Sequence, residues 1–97
     1  MNSEYLQIPD ELRLNYLKNK MTEIGIIRSQ FDGKDFSLMV KLGHQMRGNA
    51  DSFSFAKMSP VANQLELAAQ NKNAVLVTKL LKQLEQLIQI YFEDFQT

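Results

Sequence analysis

The sequence predicts an all-α fold, an antiparallel up-down-up-down four-helix bundle, on three observations. Apolar residues recur at spacings of three, four and seven through most of the chain, the period of one helix face. Three short polar or glycine-containing stretches divide that pattern into four segments. No segment alternates with the period of two that a half-buried strand shows. The chain has 97 residues, enough for one core and not two. Residues 1–97 are therefore read as a single domain, with a lead-in over residues 1–8 and helices at roughly 9–30, 35–52, 57–70 and 74–95.

Composition narrows the function classes. Hydrophobic residues make up 44% of the chain and charged residues 23%, which suits a globular domain rather than a disordered one. The formal net charge is zero and the pI is about 6.6. That balance argues against nucleic acid as a partner, because phosphate-backbone binding needs clustered Lys and Arg. No run of apolar residues is long enough to span a membrane, and no signal peptide opens the chain. The absence of cysteine excludes disulfides and thiolate metal sites. One histidine with unordered carboxylates makes any other metal site implausible. A cytoplasmic location is the default expectation.

The lead-in offers Tyr5, Leu6 and Ile8 for packing. Pro9 suits a first helical turn, and Asp10 and Glu11 suit the positive end of the helix dipole. Leu14, Leu17, Met21, Ile24 and Phe31 form the apolar stripe of helix one, and Arg28 on that stripe marks where the helix leaves the core. Asp32-Gly33 is a turn. Asp35 is the expected N-cap of helix two, whose inward face is Phe36, Met39, Gly43 and Ala50. Residues 51–56 break the helical pattern, with Phe53 and Phe55 packing at one end of the bundle. Ser59 and Pro60 then read as a cap and a first-turn proline, followed by Val61, Leu65, Ala68 and Ala69 on the inner face. Asn71-Lys72-Asn73 is a polar turn, with Asn73 capping the last helix. That helix carries Val77, Leu80, Leu81, Leu84, Leu87, Ile88, Tyr91 and Phe95 on one face. Lys79 and Lys82 beside Glu85 read as a solvated face with pairs three residues apart.

The chemistry concentrates in Gly43-His44-Gln45-Met46-Arg47-Gly48-Asn49-Ala50, which holds the only histidine. On a helix His44, Arg47 and Gly48 share one stripe, because residues at i, i+3 and i+4 stack. A nucleophilic imidazole, a cation and a position without a side chain form a coherent phosphate-handling set. At about 100° per residue, His44 lies roughly 120° from the inward direction of helix two. It is expected at the helix flank, with Arg47 nearer the core and its guanidinium reaching outward.

His44-Gln45-Met46-Arg47-Gly48-Asn49 resembles the signature of histidine-containing phosphotransfer (HPt) domains, which runs His, any residue, an aliphatic, Lys or Arg, Gly, then Ser, Ala or Asn. Ser52-Phe53-Ser54-Phe55 is similar to the family's Ser-Phe-Gly-Phe loop. Met58, Val61 and Leu65-Glu66 fall on its apolar positions and its Leu-Glu pair. Ile8-Pro9 and Asp35-Phe36 fit upstream, so the resemblance covers roughly residues 8 to 95 without a gap.

The resemblance implies a four-helix bundle that accepts a phosphoryl group from the aspartyl phosphate of one receiver domain and passes it to another. It implies a phosphoryl carrier of a two-component phosphorelay rather than an enzyme with its own kinase activity. The implied partners are response-regulator receiver domains and a hybrid histidine kinase. No cofactor is implied for the chain itself, Mg²⁺ being supplied by the receiver. His44 is the implied phosphoryl acceptor through Nε2, with the proton on Nδ1. Glu66 is implied to accept that proton's hydrogen bond and orient the ring, as the acid of a catalytic triad does. Arg47 is implied to counter the phosphoryl charge, and Gly48 to leave room for phosphate and partner. Docking would be transient, below about 1,200 Å², over exposed apolar side chains such as Val40 and residues of helix one. A monomer is expected, and the initiating methionine favours a stand-alone chain.

Two positions depart from the family pattern. Ser54 stands where the family usually has Gly, and Ala56 where it often has Pro. Serine is strained in the left-handed conformation that a helix-ending glycine supplies, so the expectation is either a shifted helix end or Ser54 capping helix three. Asp51 lies on the His44 stripe and is expected to pair with Arg47 or Lys41 or to be solvated, with an effect on receiver choice. The alternative function is a catalytically silent HPt-like module that regulates a kinase or receiver by occlusion. The presence of the histidine, the cation, the glycine and Glu66 together favours transfer over that alternative.

Overall fold

Among the described residues the chain forms four α-helices and one 3₁₀ turn: α1 (Asp10–Gln30), α2 (Ser37–Asn49), the turn Asp51–Phe53, α3 (Met58–Gln70) and α4 (Ala74–Phe95). The structure, a computed structural model, describes residues 8–96; the lead-in positions Tyr5 and Leu6 lie outside them. No strand occurs among the described residues. Helix α2 packs on α3, α3 on α4, and α4 on α1. No helix among the described residues is long and apolar enough to cross a membrane.

One contiguous core runs through all four helices. Its fully buried side chains include Leu17 and Ile24 of α1, Met39, Leu42 and Met46 of α2, Met58 and Leu65 of α3, and Val77, Leu81, Leu84 and Ile88 of α4. The stripe expected for α4 is the one buried, with Leu87, Tyr91 and Phe95 half-buried along its edges. In α1 the stripe is rotated from the expected one. Tyr16 and Ile27 are buried, while Leu14, Met21 and Phe31 are only half-buried. Arg28 does leave the core, but it ion-pairs across to Glu85 of α4. Glu85 therefore serves a contact between helices instead of the expected pairing with Lys79 or Lys82.

The helix ends show how local chemistry places the elements. Pro9 precedes the first helical residue, and its carbonyl accepts from the Leu12 and Arg13 amides. Asp35 caps α2 from one residue outside the Ncap position, which Phe36 occupies without a side-chain bond. Its Oδ1 accepts from the Ser37 amide at 3.0 Å and the Ser37 hydroxyl at 2.7 Å. The hydroxyl first, and the amide after it, hold the Asp35 carboxyl below the ordinary carboxylate range. Helix α3 begins at Met58, so Ser59 lies inside its first turn and is not the cap. Backbone carbonyls of Phe55 and Ala56 satisfy the Met58 and Ser59 amides instead. Pro60 sits in the first turn, as expected. The α3–α4 turn closes with Asn73 donating to Ala68 and Lys72 to Ala69, both about one helix turn back. Lys72 takes the left-handed backbone there, at φ 57°. The Asn73 side chain caps α4 by accepting from the Leu76 amide at 3.1 Å.

The same closure follows the 3₁₀ turn, and here Ser54 corrects the expectation. Ser54 neither shifts away nor caps α3. It adopts the left-handed conformation itself, at φ 67° and ψ 32°. Its amide donates to Asp51 and the Phe55 amide donates to Ala50, both at 2.9 Å, the paired bonds of a Schellman closure. Aromatic packing holds the strained residue from both sides. The Phe53 ring stacks on Tyr16 at 4.3 Å between centroids, and Phe55 meets Tyr91 edge-on at 4.6 Å. Arg13 donates to the Phe53 carbonyl at 2.9 Å and lies over the Phe55 and Phe95 rings. The Tyr16 hydroxyl donates to Oδ1 of Asn49, the last residue of α2. Burial, with the charge of Glu23 adding, pushes the Tyr16 phenol well above its usual range, so it stays a donor. Ser54→Gly should stabilise the fold by about 1 kcal/mol, the cost of a left-handed backbone for a residue with a Cβ. Urea denaturation of the two proteins checks it, and a less stable variant would show that the loop is held by serine's side chain.

Candidate functional site

The site begins with a close helix crossing. Gly43 faces α3, and a Cβ built on it would lie 2.7 Å from the Ala62 carbonyl oxygen and 2.7 Å from the Glu66 amide nitrogen. Both are backbone atoms and cannot turn aside, so only glycine allows α2 and α3 this close. The approach sets Glu66 directly beside the residue that follows Gly43. Glu66 is the one charged residue among the described residues that is buried, with its side chain 11% exposed.

A buried carboxylate needs donors on its oxygens, and two residues of α2 supply them. Arg47 Nε donates to Glu66 Oε1 at 2.7 Å. His44 Nδ1 lies 3.1 Å from Oε2. The Arg47 terminal nitrogen is also 3.2 Å from Nδ1. Nδ1 cannot both donate to Oε2 and accept from Arg47, so the ring must choose. An ionised carboxylate only accepts, which favours the proton on Nδ1. Nε2 then carries the lone pair. The His44 side chain is 64% exposed, and Nε2 has no hydrogen-bond partner among the described residues. The cluster thus presents a nucleophilic nitrogen outward, backed by a carboxylate and flanked by a guanidinium.

The structure brings His44, Arg47 and Glu66 together and leaves Gly48 open. Among the described residues nothing lies within 4 Å of a Cβ added at Gly48, which is exposed one turn along from His44. His44 does lie at the flank of α2. Arg47 differs from the expectation in one respect: its Nε is committed to Glu66 rather than free for an anion, although its side chain remains 45% exposed. Asp51 forms no ion pair with Arg47 or Lys41; its carbonyl closes the 3₁₀ turn. The residue that sequence reasoning missed is Gly43. Its spacing puts it on the inner face, and a glycine in mid-helix, directly before the histidine, is the available signal of a close backbone approach. Among the described residues no group of three His, Cys, Asp or Glu side chains could hold a metal ion.

Comparison with protein-family models, with curated proteins and with solved structures returns no match to this chain. What the site can do therefore rests on its own geometry.

The two glycines of α2 separate in their response to one methyl group. Gly43→Ala should destabilise the protein by about 1–3 kcal/mol, because the helices must part. Gly48→Ala should be neutral or gain up to about 1 kcal/mol from helix propensity. Parallel urea unfolding curves measure both. Equal behaviour of the two variants would mean that α2 and α3 do not meet at Gly43.

Proposed function

We propose that the protein is a histidine phosphotransfer protein, accepting a phosphoryl group on Nε2 of His44 from the aspartyl phosphate of a receiver domain and passing it to another. One observation carries the reading: an exposed imidazole has its Nδ1 on a buried carboxylate at 3.1 Å. That arrangement specifies a tautomer, and with it which nitrogen attacks.

The step follows from these residues. The Nε2 lone pair attacks phosphorus, the bond from phosphorus to the aspartyl oxygen breaks, and the aspartate leaves as a carboxylate. The ring keeps its Nδ1 proton and gains positive charge, which Glu66 stabilises at hydrogen-bond distance. Arg47 flanks the ring and adds a positive charge near the incoming phosphoryl oxygens. Return transfer to a second receiver reverses the step. The receiver's acidic pocket and Mg²⁺ supply the remaining charge stabilisation; this chain brings no cofactor of its own. In this reading the helices run antiparallel, up-down-up-down. Short connections between α1 and α2 and between α3 and α4, with α4 closing on α1, support that order. The chain acts in the cytoplasm of a two-component relay, as a monomer, with a hybrid histidine kinase and receiver domains as partners. The open surface at Gly48 supports docking there, since the helix propensity that alanine would add is forgone.

Incubation with phosphorylated receiver domains should label the protein with acid-labile, base-stable phosphate mapping to His44. His44→Gln should carry none; label retained by that variant would sink the reading. Gly48→Gln should keep its helical circular dichroism while losing at least about tenfold in receiver affinity, a steric cost of more than about 1.4 kcal/mol. Unchanged affinity, read by titration calorimetry, would move the docking face elsewhere.

A further inference from the structure

We infer that Arg47 is a positioning residue: it holds Glu66 so that the carboxylate in turn fixes which ring nitrogen of His44 carries the proton. The inference rests on the phosphotransfer reading only for its kinetic consequence, since the tautomer is a property of the free protein.

Three distances define the problem. Arg47 Nε to Glu66 Oε1 is 2.7 Å, His44 Nδ1 to Oε2 is 3.1 Å, and the Arg47 terminal nitrogen to Nδ1 is 3.2 Å. They permit two arrangements. In one, Nδ1–H donates to Oε2 and the Arg47 terminal amino group turns to water. In the other, Arg47 donates to Nδ1, the proton moves to Nε2, and Oε2 faces a lone pair.

The second arrangement leaves a nearly buried carboxylate oxygen without a donor, while the first leaves only an exposed nitrogen to solvent. Unsatisfied groups are costly when buried and cheap when wet, so the first arrangement prevails. It prevails only while the carboxylate stays in place. The terminal torsion of glutamate is broad, and α3 contributes no other donor to it among the described residues. The Nε–H bond to Oε1 is the restraint that keeps Oε2 on the ring. Arginine is suited to it because its Nε–H lies in the rigid guanidinium plane and donates in a fixed direction. A lysine has the charge without that geometry.

The consequence is a division of Arg47's work. Its positive charge flanks the ring, but its directed hydrogen bond is spent on Glu66. Loss of Arg47 should therefore act on transfer through Glu66 as well as through the phosphoryl group.

The test is nitrogen-15 NMR of the neutral His44 ring in the free protein, in wild type, Arg47→Ala and Arg47→Lys, with circular dichroism as a check on folding. Wild type should show Nδ1 protonated and Nε2 bare. Both variants should shift both nitrogens towards an averaged mixture of tautomers. A wild-type pattern in Arg47→Ala, or in Arg47→Lys, overturns the inference, the second by showing that charge alone suffices. Transfer rates give an independent arm. Arg47→Ala should cost several-fold more in the wild-type background than in Glu66→Ala, the signature of coupled residues. Equal costs in the two backgrounds overturn the inference by placing Arg47 on the phosphoryl group alone. Should wild type accept no phosphate, the functional reading fails, and the tautomer result still decides the role of Arg47.

Discussion

The α2–α3 contact at Gly43 is the constraint on which the site depends. A backbone-to-backbone approach of this kind leaves no slack, because neither Ala62 O nor Glu66 N can rotate out of the way. It fixes the rise and rotation of α3 against α2 at the one place where a buried carboxylate must meet a surface histidine. Leu42 and Met46 of α2 and Ala62, Leu65 and Ala69 of α3 are all buried in the core around it. Packing here determines chemistry directly: a shift of about 1 Å in the crossing would break a 3.1 Å contact.

The far end of α2 is held by a different kind of contact. Tyr16 reaches Asn49 with its hydroxyl and stacks on Phe53 with its ring, so α1 grips both the end of the helix and the turn that follows. Arg13 holds the Phe53 carbonyl and covers Phe55. The left-handed Ser54 sits between these clamped aromatics. A residue strained by about 1–2 kcal/mol persists where the neighbours over-determine its position, and Phe55 is fully buried immediately after it. The site helix is thereby tethered at two points, Gly43 near its middle and Asn49 at its end, with His44 and Arg47 between them.

Much of this was legible in the chain, for identifiable reasons. The α4 stripe was readable because an amphipathic helix of six turns repeats its signal many times over. The pairing of His44 with Glu66 was readable only through resemblance, since nothing in the spacing of 22 residues dictates contact between two helices. The rotation of the α1 stripe was not legible. Tyr16 is an aromatic with a polar tip, and its burial depends on Asn49 and Phe53 arriving from elsewhere. The Arg28–Glu85 ion pair and the Arg47–Glu66 bond were missed for the same reason. Each replaces a contact between residues near in sequence with one between helices, which local pattern cannot see. Ser54 was misjudged because sequence rules weigh the backbone cost of serine and not the packing that overrides it.

The contrast between the glycines of α2 bears on what the exposed face is for. Gly43 has a reason inside the protein: a side chain there would collide with backbone. Gly48 has none. A Cβ there meets nothing, and alanine would favour the helix by about 1 kcal/mol. Open space alone does not mark a site, because Gly25 in α1 is equally unobstructed. Position separates the two. Gly48 lies one turn from an exposed imidazole whose carboxylate partner is buried behind it, whereas Gly25 adjoins no such group. A bare backbone beside an outward-facing nucleophilic nitrogen lets a second molecule approach Nε2 more closely than any side chain would allow. Packing among the described residues gives Gly48 nothing to do, so what its missing side chain provides is open space on the surface beside His44.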